Sequence, residues 1–214
     1  MSTENYYKDK VYKIGGYRKT VILGCITKPG AQVLDIGCGD GELGMLIKEK
    51  TKGIVHGVEV SPASVKEAQS KIDTVFCFDI EKADAWPSEL FSENYNYIVI
   101  SEVLEHLFDQ EAVLGMVKKL VRPETEIIIT VPNLLFWKNR LQILLGNFEY
   151  TTSGLMDRGH IHIFSWKSFA HMLQSCGFEI VEQKNNIPTR GTQFLGKYFP
   201  GLFAYQFVVK VKSV

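Results

Sequence analysis

Cysteine is scarce in this chain and shows no pairing pattern: Cys25, Cys38, Cys77 and Cys176 are widely spaced and form no C-x-x-C pair. That arrangement argues against a structural zinc site and against a disulfide-stapled secreted scaffold. Net charge is absent as well. The 24 Lys and Arg balance 24 Asp and Glu, so no global field draws the chain to nucleic acid or to an anionic membrane. No segment holds about 18 uninterrupted apolar residues, and Met1 to Lys10 lacks the apolar stretch of a signal peptide. Neither membrane spanning nor export is expected, and the expected compartment is the cytoplasm. Internal repeats and low-complexity tracts are missing too.

What is present is an ordinary globular composition. The 214 residues are 45% apolar and 22% charged, which allows one sizeable core. Apolar runs bounded by turn residues predict strands at Gln32–Ile36, Gly53–Val60, Thr74–Phe78, Tyr95–Ser101 and Glu126–Val131. Helices are predicted between them, at Gly41–Lys50, Pro62–Ile72, Ala83–Leu90 and Asp109–Val121. The runs Tyr97-Ile98-Val99-Ile100 and Ile127-Ile128-Ile129 are nearly continuous β-branched stretches, as central parallel strands covered on both faces require. The class is therefore α/β, a doubly wound sheet with helices on both faces. A helix at Trp166–Cys176 and two closing strands, Phe178–Glu182 and Phe203–Val211, follow. The chain divides into a helical lead-in (1–30), the α/β core (31–132), an insertion (133–164) and closing elements of the same domain (165–214).

The strongest local signal is Val33-Leu34-Asp35-Ile36-Gly37-Cys38-Gly39-Asp40-Gly41, a buried strand that runs into a glycine-rich turn opening a helix. Gly37, Gly39 and Gly41 let backbone approach a bound group, and the helix start offers N–H donors. In doubly wound sheets this turn lies where the strand order reverses, so a nucleotide-like ligand is expected there. Two departures from the dinucleotide fingerprint choose among ligands. The third glycine position holds Glu42, and Asp35 precedes the turn. An anionic Asp35 repels pyrophosphate and favours a cationic ligand, such as an α-amino group or a sulfonium.

On these residues the chain resembles the class I S-adenosylmethionine-dependent methyltransferases, whose first motif is similar. The resemblance implies a Rossmann-like seven-stranded sheet, mostly parallel with an antiparallel last strand. It implies S-adenosylmethionine as cofactor and S-adenosylhomocysteine as product. Glu59, followed by Val60, matches the family's ribose-binding acid, and Asp79 resembles the position that contacts the adenine amino group, with Ile80 packing on the ring. Ser101-Glu102-Val103-Leu104-Glu105-His106-Leu107 is similar to the motif at the methyl-transfer edge, especially in the subgroup with quinone-precursor O-methyltransferases. Val131-Pro132-Asn133, the helix Trp137–Phe148 and residues 154–164 resemble a smaller branch linked to glycan assembly. The cofactor set is thus Asp35, Gly37, Cys38, Gly39, Gly41, Glu59, Val60, Asp79, Ile80, Ser101 and Glu102.

Histidine is the natural proton acceptor near neutral pH. His56 lies in a strand and His171 on a helix, where structural roles suffice. His106, at the exit of the fourth strand, and His160, beside Asp157 and Arg158, are the candidate bases. No third ligand accompanies His160 and His162, so no metal is expected. Cys38 reads as a small residue of the turn, not a reactive thiol.

The expected reaction is methyl transfer to an oxygen or nitrogen of a small-molecule, lipid or glycan-precursor acceptor, without nucleic acid. The alternative is a cofactor-binding partner module without turnover. A nicotinamide oxidoreductase is disfavoured by Asp35 and Glu42. The amphipathic stretch from Leu134 to Phe148 is read first as packing on its own domain, then as a substrate lid, and last as weak membrane contact. Tyr6, Tyr7, Tyr17 and Arg18 are candidates for an N-terminal cover over the cofactor.

Overall fold

The computed structural model describes residues 16–151, 154–188, 191 and 193–214. Tyr6, Tyr7 and the predicted lead-in before Gly16 lie outside them. The first described helix is α1 (Gly16–Cys25), followed by β1 (Gln32–Ile36), α2 (Glu42–Thr51), β2 (Ile54–Glu59), α3 (Pro62–Ala68) and β3 (Thr74–Cys77). Next come α4 (Ser88–Ser92), β4 (Tyr97–Ser101), α5 (Gln110–Leu120), β5 (Glu126–Pro132) and α6 (Trp137–Leu144). The chain closes with α7 (Trp166–Ser175), β6 (Phe178–Gln183), α8 (Gln193–Tyr198), α9 (Pro200–Phe203) and β7 (Gln206–Ser213).

The seven strands form one sheet in the order β3-β2-β1-β4-β5-β7-β6. The first five are parallel, and β7 runs antiparallel to both β5 and β6. This is the doubly wound sheet expected from the sequence. Strand alternation builds two cores. Leu34, Ile36, Ile98, Ile100, Ile127 and Ile129 face α5 and α7 on one side. Val33, Val55, Val99 and Ile128 face Ile22, Leu43 and Ile47 on the other. Both faces are covered, which is why the central strands carry almost no polar residues.

Three elements differ from the sequence expectation. The helix predicted at Ala83–Leu90 is broken into a 3₁₀ turn at Ala83–Ala85 and α4. Pro87 has no N–H and disfavours helical backbone at Trp86, which is extended (φ −71°, ψ 115°). The helix expected to Ile72 ends at Ala68; Ile72 is still buried, now from the turn that follows. The Leu134–Phe148 helix spans only Trp137–Leu144 and ends at Gly146 (φ +81°), with the Asn147 N–H donating to the Gln142 carbonyl at 2.9 Å. That left-handed glycine ends the helix before Phe148. The helix buries none of its residues, so the preferred reading of domain packing fails.

The switch of strand order between β1 and β4 sets Ile36 beside Ile100 and opens a crevice at the carboxyl edge. Beyond β5, Phe169 of α7 stacks on Phe207 of β7 (centroids 6.3 Å, 12° between planes) and meets Phe164 edge-on at 5.6 Å. Truncation of Phe169 to Ala empties this completely buried position and is expected to cost about 3–5 kcal/mol, read from urea unfolding.

Candidate active site at the carboxyl edge

The glycine turn after β1 has the geometry its residues permit. Gly37, Gly39 and Gly41 have φ of +74°, +55° and +77°. A Cβ on Gly37 would lie 2.4 Å from Val103 Cγ2. The turn is anchored on β2: the Gly37 and Cys38 N–H groups donate to the Val58 carbonyl at 2.8 and 3.0 Å. Asp40 accepts from the Glu42 N–H at 3.1 Å and pairs with Lys71 at 2.9 Å, steadying the start of α2. Glu42 pairs with Lys19 of α1.

Glu59, at the end of β2, accepts three backbone N–H groups, from Gly39 (3.0 Å), Val60 (2.9 Å) and Ser61 (2.9 Å). A carboxylate offers about four acceptor positions, so room remains for a ligand hydroxyl. Burial nonetheless pushes its carboxyl above the usual range. Asp79 accepts from the Glu81 N–H at 3.1 Å, with Lys82 Nζ 3.9 Å away. Ile80 packs against the core, and its carbonyl accepts from Trp86 Nε1 at 2.9 Å. Cys38 is the small residue of the turn that the sequence suggests. Its thiol is buried in the core, Gly57 makes space for it, and desolvation drives its pKa well up.

The crevice floor is acidic. Asp35 is 1% exposed, and its Oδ2 has no hydrogen-bond partner among the described residues. Burial first, then the Glu59 charge, pushes its pKa to about 7, against a lowering pull from Arg18. At the end of β4, Ser101 Oγ lies 3.2 Å from Thr130 Oγ1, and Glu102 adopts φ +59°, a left-handed conformation costly for a side chain of this kind. What holds Glu102 there is a set of partners: Arg18 Nη1 at 2.9 Å, Gln206 Nε2 at 2.8 Å and Thr130 Oγ1 at 3.2 Å. Asn186 Nδ2 donates in turn to Gln206 Oε1 at 2.6 Å.

Three residues on, Glu105 is fully buried, and neither carboxylate oxygen has a hydrogen-bond partner among the described residues. Desolvation and the Glu102 charge push its carboxyl well above the usual range. His160 Nε2 lies 3.9 Å from Glu105 Oε1, and the His106 and His160 rings are 4.9 Å apart. The two imidazoles, tilted by 58°, each turn Nδ1 to a backbone carbonyl. His106 Nδ1 is 2.8 Å from the Gly159 carbonyl and His160 Nδ1 is 3.3 Å from that of Leu155. A carbonyl only accepts, so the Nδ1 facing it carries a proton in each ring, and Nε2 is the remaining nitrogen. Glu105, His106 and His160 each bring a ligand atom within 4.8 Å of the others, a donor set suited to a divalent cation.

The structure therefore gathers Asp35, the glycines, Glu59, Ser101, Glu102, His106 and His160 at one edge, and places His162, half-buried, outside the histidine pair. Sequence reasoning missed Glu105 as a participant, although an acid three residues after Glu102, among Val103, Leu104 and Leu107, was a signal. It also undervalued Arg18, named only as a possible cover residue, and it gave no sign of Gln206.

The raised Asp35 pKa has a stability consequence. Folded Asp35 keeps its proton up to about pH 7, whereas unfolded it ionises near 4. The unfolded state thus binds fewer protons between these values, and stability falls as pH rises from about 4 to 7. Asp35→Asn is expected to flatten that fall and to stabilise the ligand-free protein at pH 8 by about 2–4 kcal/mol, measured by chemical denaturation across pH.

Comparison with known proteins agrees with this architecture. A family model described as a methyltransferase domain matches residues 6–183. Curated relatives include the mitochondrial ubiquinone biosynthesis O-methyltransferase of Bos taurus, 27% identical over 65% of this chain and 37% of that protein. The ubiquinone biosynthesis O-methyltransferase of Neisseria meningitidis is 24% identical over 72% of this chain and 66% of its own length. The chain thus spans between about a third and two thirds of these relatives. Similar folds include a SAM-dependent methyltransferase from Archaeoglobus fulgidus, with TM-score 0.61, 18% identity, and 93% and 95% of the two chains covered. Magnesium protoporphyrin IX methyltransferase from Synechocystis, with bound SAM, aligns at TM-score 0.62 and 15% identity over 100% and 98%. A match over most of the chain, on this sheet and this glycine turn, places the protein in the methyltransferase-domain family, among the class I S-adenosylmethionine-dependent methyltransferases.

Proposed function

We propose that this chain transfers a methyl group from S-adenosylmethionine to an oxygen or nitrogen of a small-molecule, lipid or glycan-precursor acceptor. The observation that carries this reading is Asp35, a buried carboxylate with an unpartnered oxygen beside a glycine turn. A dry carboxylate of this kind calls for a cation, and the cofactor is cationic at both its sulfonium and its α-ammonium. The curated relatives named O-methyltransferases favour oxygen as the acceptor atom.

When bound, the cofactor supplies an electrophilic methyl carbon on a sulfonium leaving group. Asp35 would hold the ammonium. The guanidinium of Arg18, with its forked donors, suits the α-carboxylate. Glu59 would take a ribose hydroxyl, Asp79 an exocyclic amine, and Ile80 and the backbone at Val60 would line the nucleoside. Charge is dispersed as the methyl moves, so positioning contributes more than electrostatic rescue. An acceptor hydroxyl must lose its proton as the new O–C bond forms. The Nε2 of His106 or His160 takes that proton, and Glu105, 3.9 Å from His160 Nε2, stabilises an imidazolium formed at His160.

The donor set of Glu105, His106 and His160 favours a second reading of this last step, in which a divalent cation bound there polarises the acceptor oxygen. Chelation separates the two readings. Activity unchanged after EDTA treatment leaves the histidines as base, and loss restored by added Mg²⁺ or Zn²⁺ assigns the cation.

Calorimetric titration with S-adenosylmethionine is expected to show saturable micromolar binding, weakened at least about tenfold in Asp35→Ala and Glu59→Ala; no saturable binding would overturn the reading. With an acceptor in hand, His106→Gln and His160→Gln are expected to lower kcat by about 10²–10⁴ for whichever is the base, with cofactor affinity retained. Cofactor binding without methylated product across an acceptor panel would instead favour a partner module.

A further inference from the structure

Of 18 exposed large hydrophobic side chains among the described residues, 11 fall in two short stretches, 135–150 and 194–199. Leu144, Phe194 and Leu145 are 82%, 72% and 68% exposed. A helix as short as α6 does not hold itself together in water, and it buries none of its own residues. Concentrated apolar surface of this kind marks an interaction site.

The two stretches are tied together at their bases. Arg140 Nη2 donates to the Gly201 carbonyl at 3.0 Å, and Asn133 Nδ2 donates to the Ala204 carbonyl at 2.7 Å. These bonds tie the base of α6 to α9, which packs on α8. The same segment leads into Gln206, the partner of Glu102, so the face adjoins the rim of the crevice.

Charge identifies the occupant. Across 135–150 the charged residues are Lys138, Arg140 and a single acid, Glu149, at the end, and after Glu182 the chain contains no acid at all. Lys138 and Lys197 stand exposed, and Lys138 Nζ lies 5.6 Å from the Trp137 ring. Apolar and aromatic side chains rimmed mainly by cations are the chemistry of a helix lying in a lipid interface. A second copy of the chain fits less well, because a two-fold contact would set the same cations against each other.

We propose that α6 and α8 form a docking face for an anionic lipid bilayer, with Leu144, Leu145 and Phe194 entering the acyl boundary and Lys138 and Lys197 meeting lipid phosphates. The docking does not rest on the methyl-transfer reading. Where both hold, the acceptor is an amphiphile reached from the membrane surface.

Co-sedimentation of the full chain with phosphatidylcholine vesicles, with and without phosphatidylglycerol, tests this. The chain is expected to pellet with the anionic vesicles, less so at high salt, and Trp137 emission is expected to shift to the blue. Lys138→Gln with Lys197→Gln is expected to lower partitioning on the order of tenfold, and Leu144→Gln with Phe194→Gln to reduce it to the vesicle-free background. Melting temperature and S-adenosylmethionine affinity should not change in either double variant. Pelleting no greater than background for the wild type, or variants that bind as the wild type does, would overturn the proposal. So would a concentration-dependent dimer that Leu144→Gln with Phe194→Gln dissociates in the absence of vesicle binding, which would give the face to a second copy. Because cofactor titration is scored separately, failure of docking and failure of the methyl-transfer reading are distinguishable.

Discussion

The cost of keeping carboxylates dry at the carboxyl edge of the sheet governs the rest of this site. A displacement of Asp35 from its ordinary range to about 7 corresponds to about 4 kcal/mol set against its ionisation, at 1.36 kcal/mol per unit. Glu59 and Glu105 carry penalties of the same sign. Arg18 offsets part of this, pairing directly with Glu102 and lowering the pKa of both Asp35 and Glu105. One guanidinium does not balance four neighbouring acids, so the crevice is poised for cationic ligands. Uptake of a cation would recover electrostatic energy that the ligand-free fold gives up.

The surrounding backbone is arranged to tolerate that charge. Left-handed glycines carry the turn past Val103 without a clash. Glu59 is held by three N–H donors while still facing the crevice. Glu102 stays in a left-handed conformation because Arg18, Thr130 and Gln206 grip its carboxylate. These partners come from α1, β5 and β7, elements far apart in sequence. The acidic floor is therefore a device that joins the helical lead-in, the centre of the sheet and its antiparallel strand. Strain at Glu102 and solvation penalty at Asp35 both sit where a ligand would bind, the usual place for local conflict in an otherwise consistent fold.

Much of this was legible in the chain, and the failures have physical reasons. The β-branched runs at Tyr97–Ile100 and Ile127–Ile129 announced central strands because burial on both faces leaves no polar positions. The helix predicted at Ala83–Leu90 failed because Pro87 overrode a weak periodicity. The stretch from Leu134 to Phe148 read as a packed helix because its apolar spacing is helical, yet spacing carries no information on whether a partner surface exists.

Sequence alone determined the parallel α/β order, the glycine turn with an acid before it, and the strand-end positions of Glu59, Asp79 and Glu102, because strand and turn chemistry act over a few neighbouring residues. Only the tertiary structure decided that His160 meets His106 and Glu105, that Arg18 reaches Glu102, and that the apolar side chains of α6 and α8 are left exposed. Those relations depend on which distant segments the sheet order and the insertion bring within a few ångströms, and on how much water is excluded when they meet.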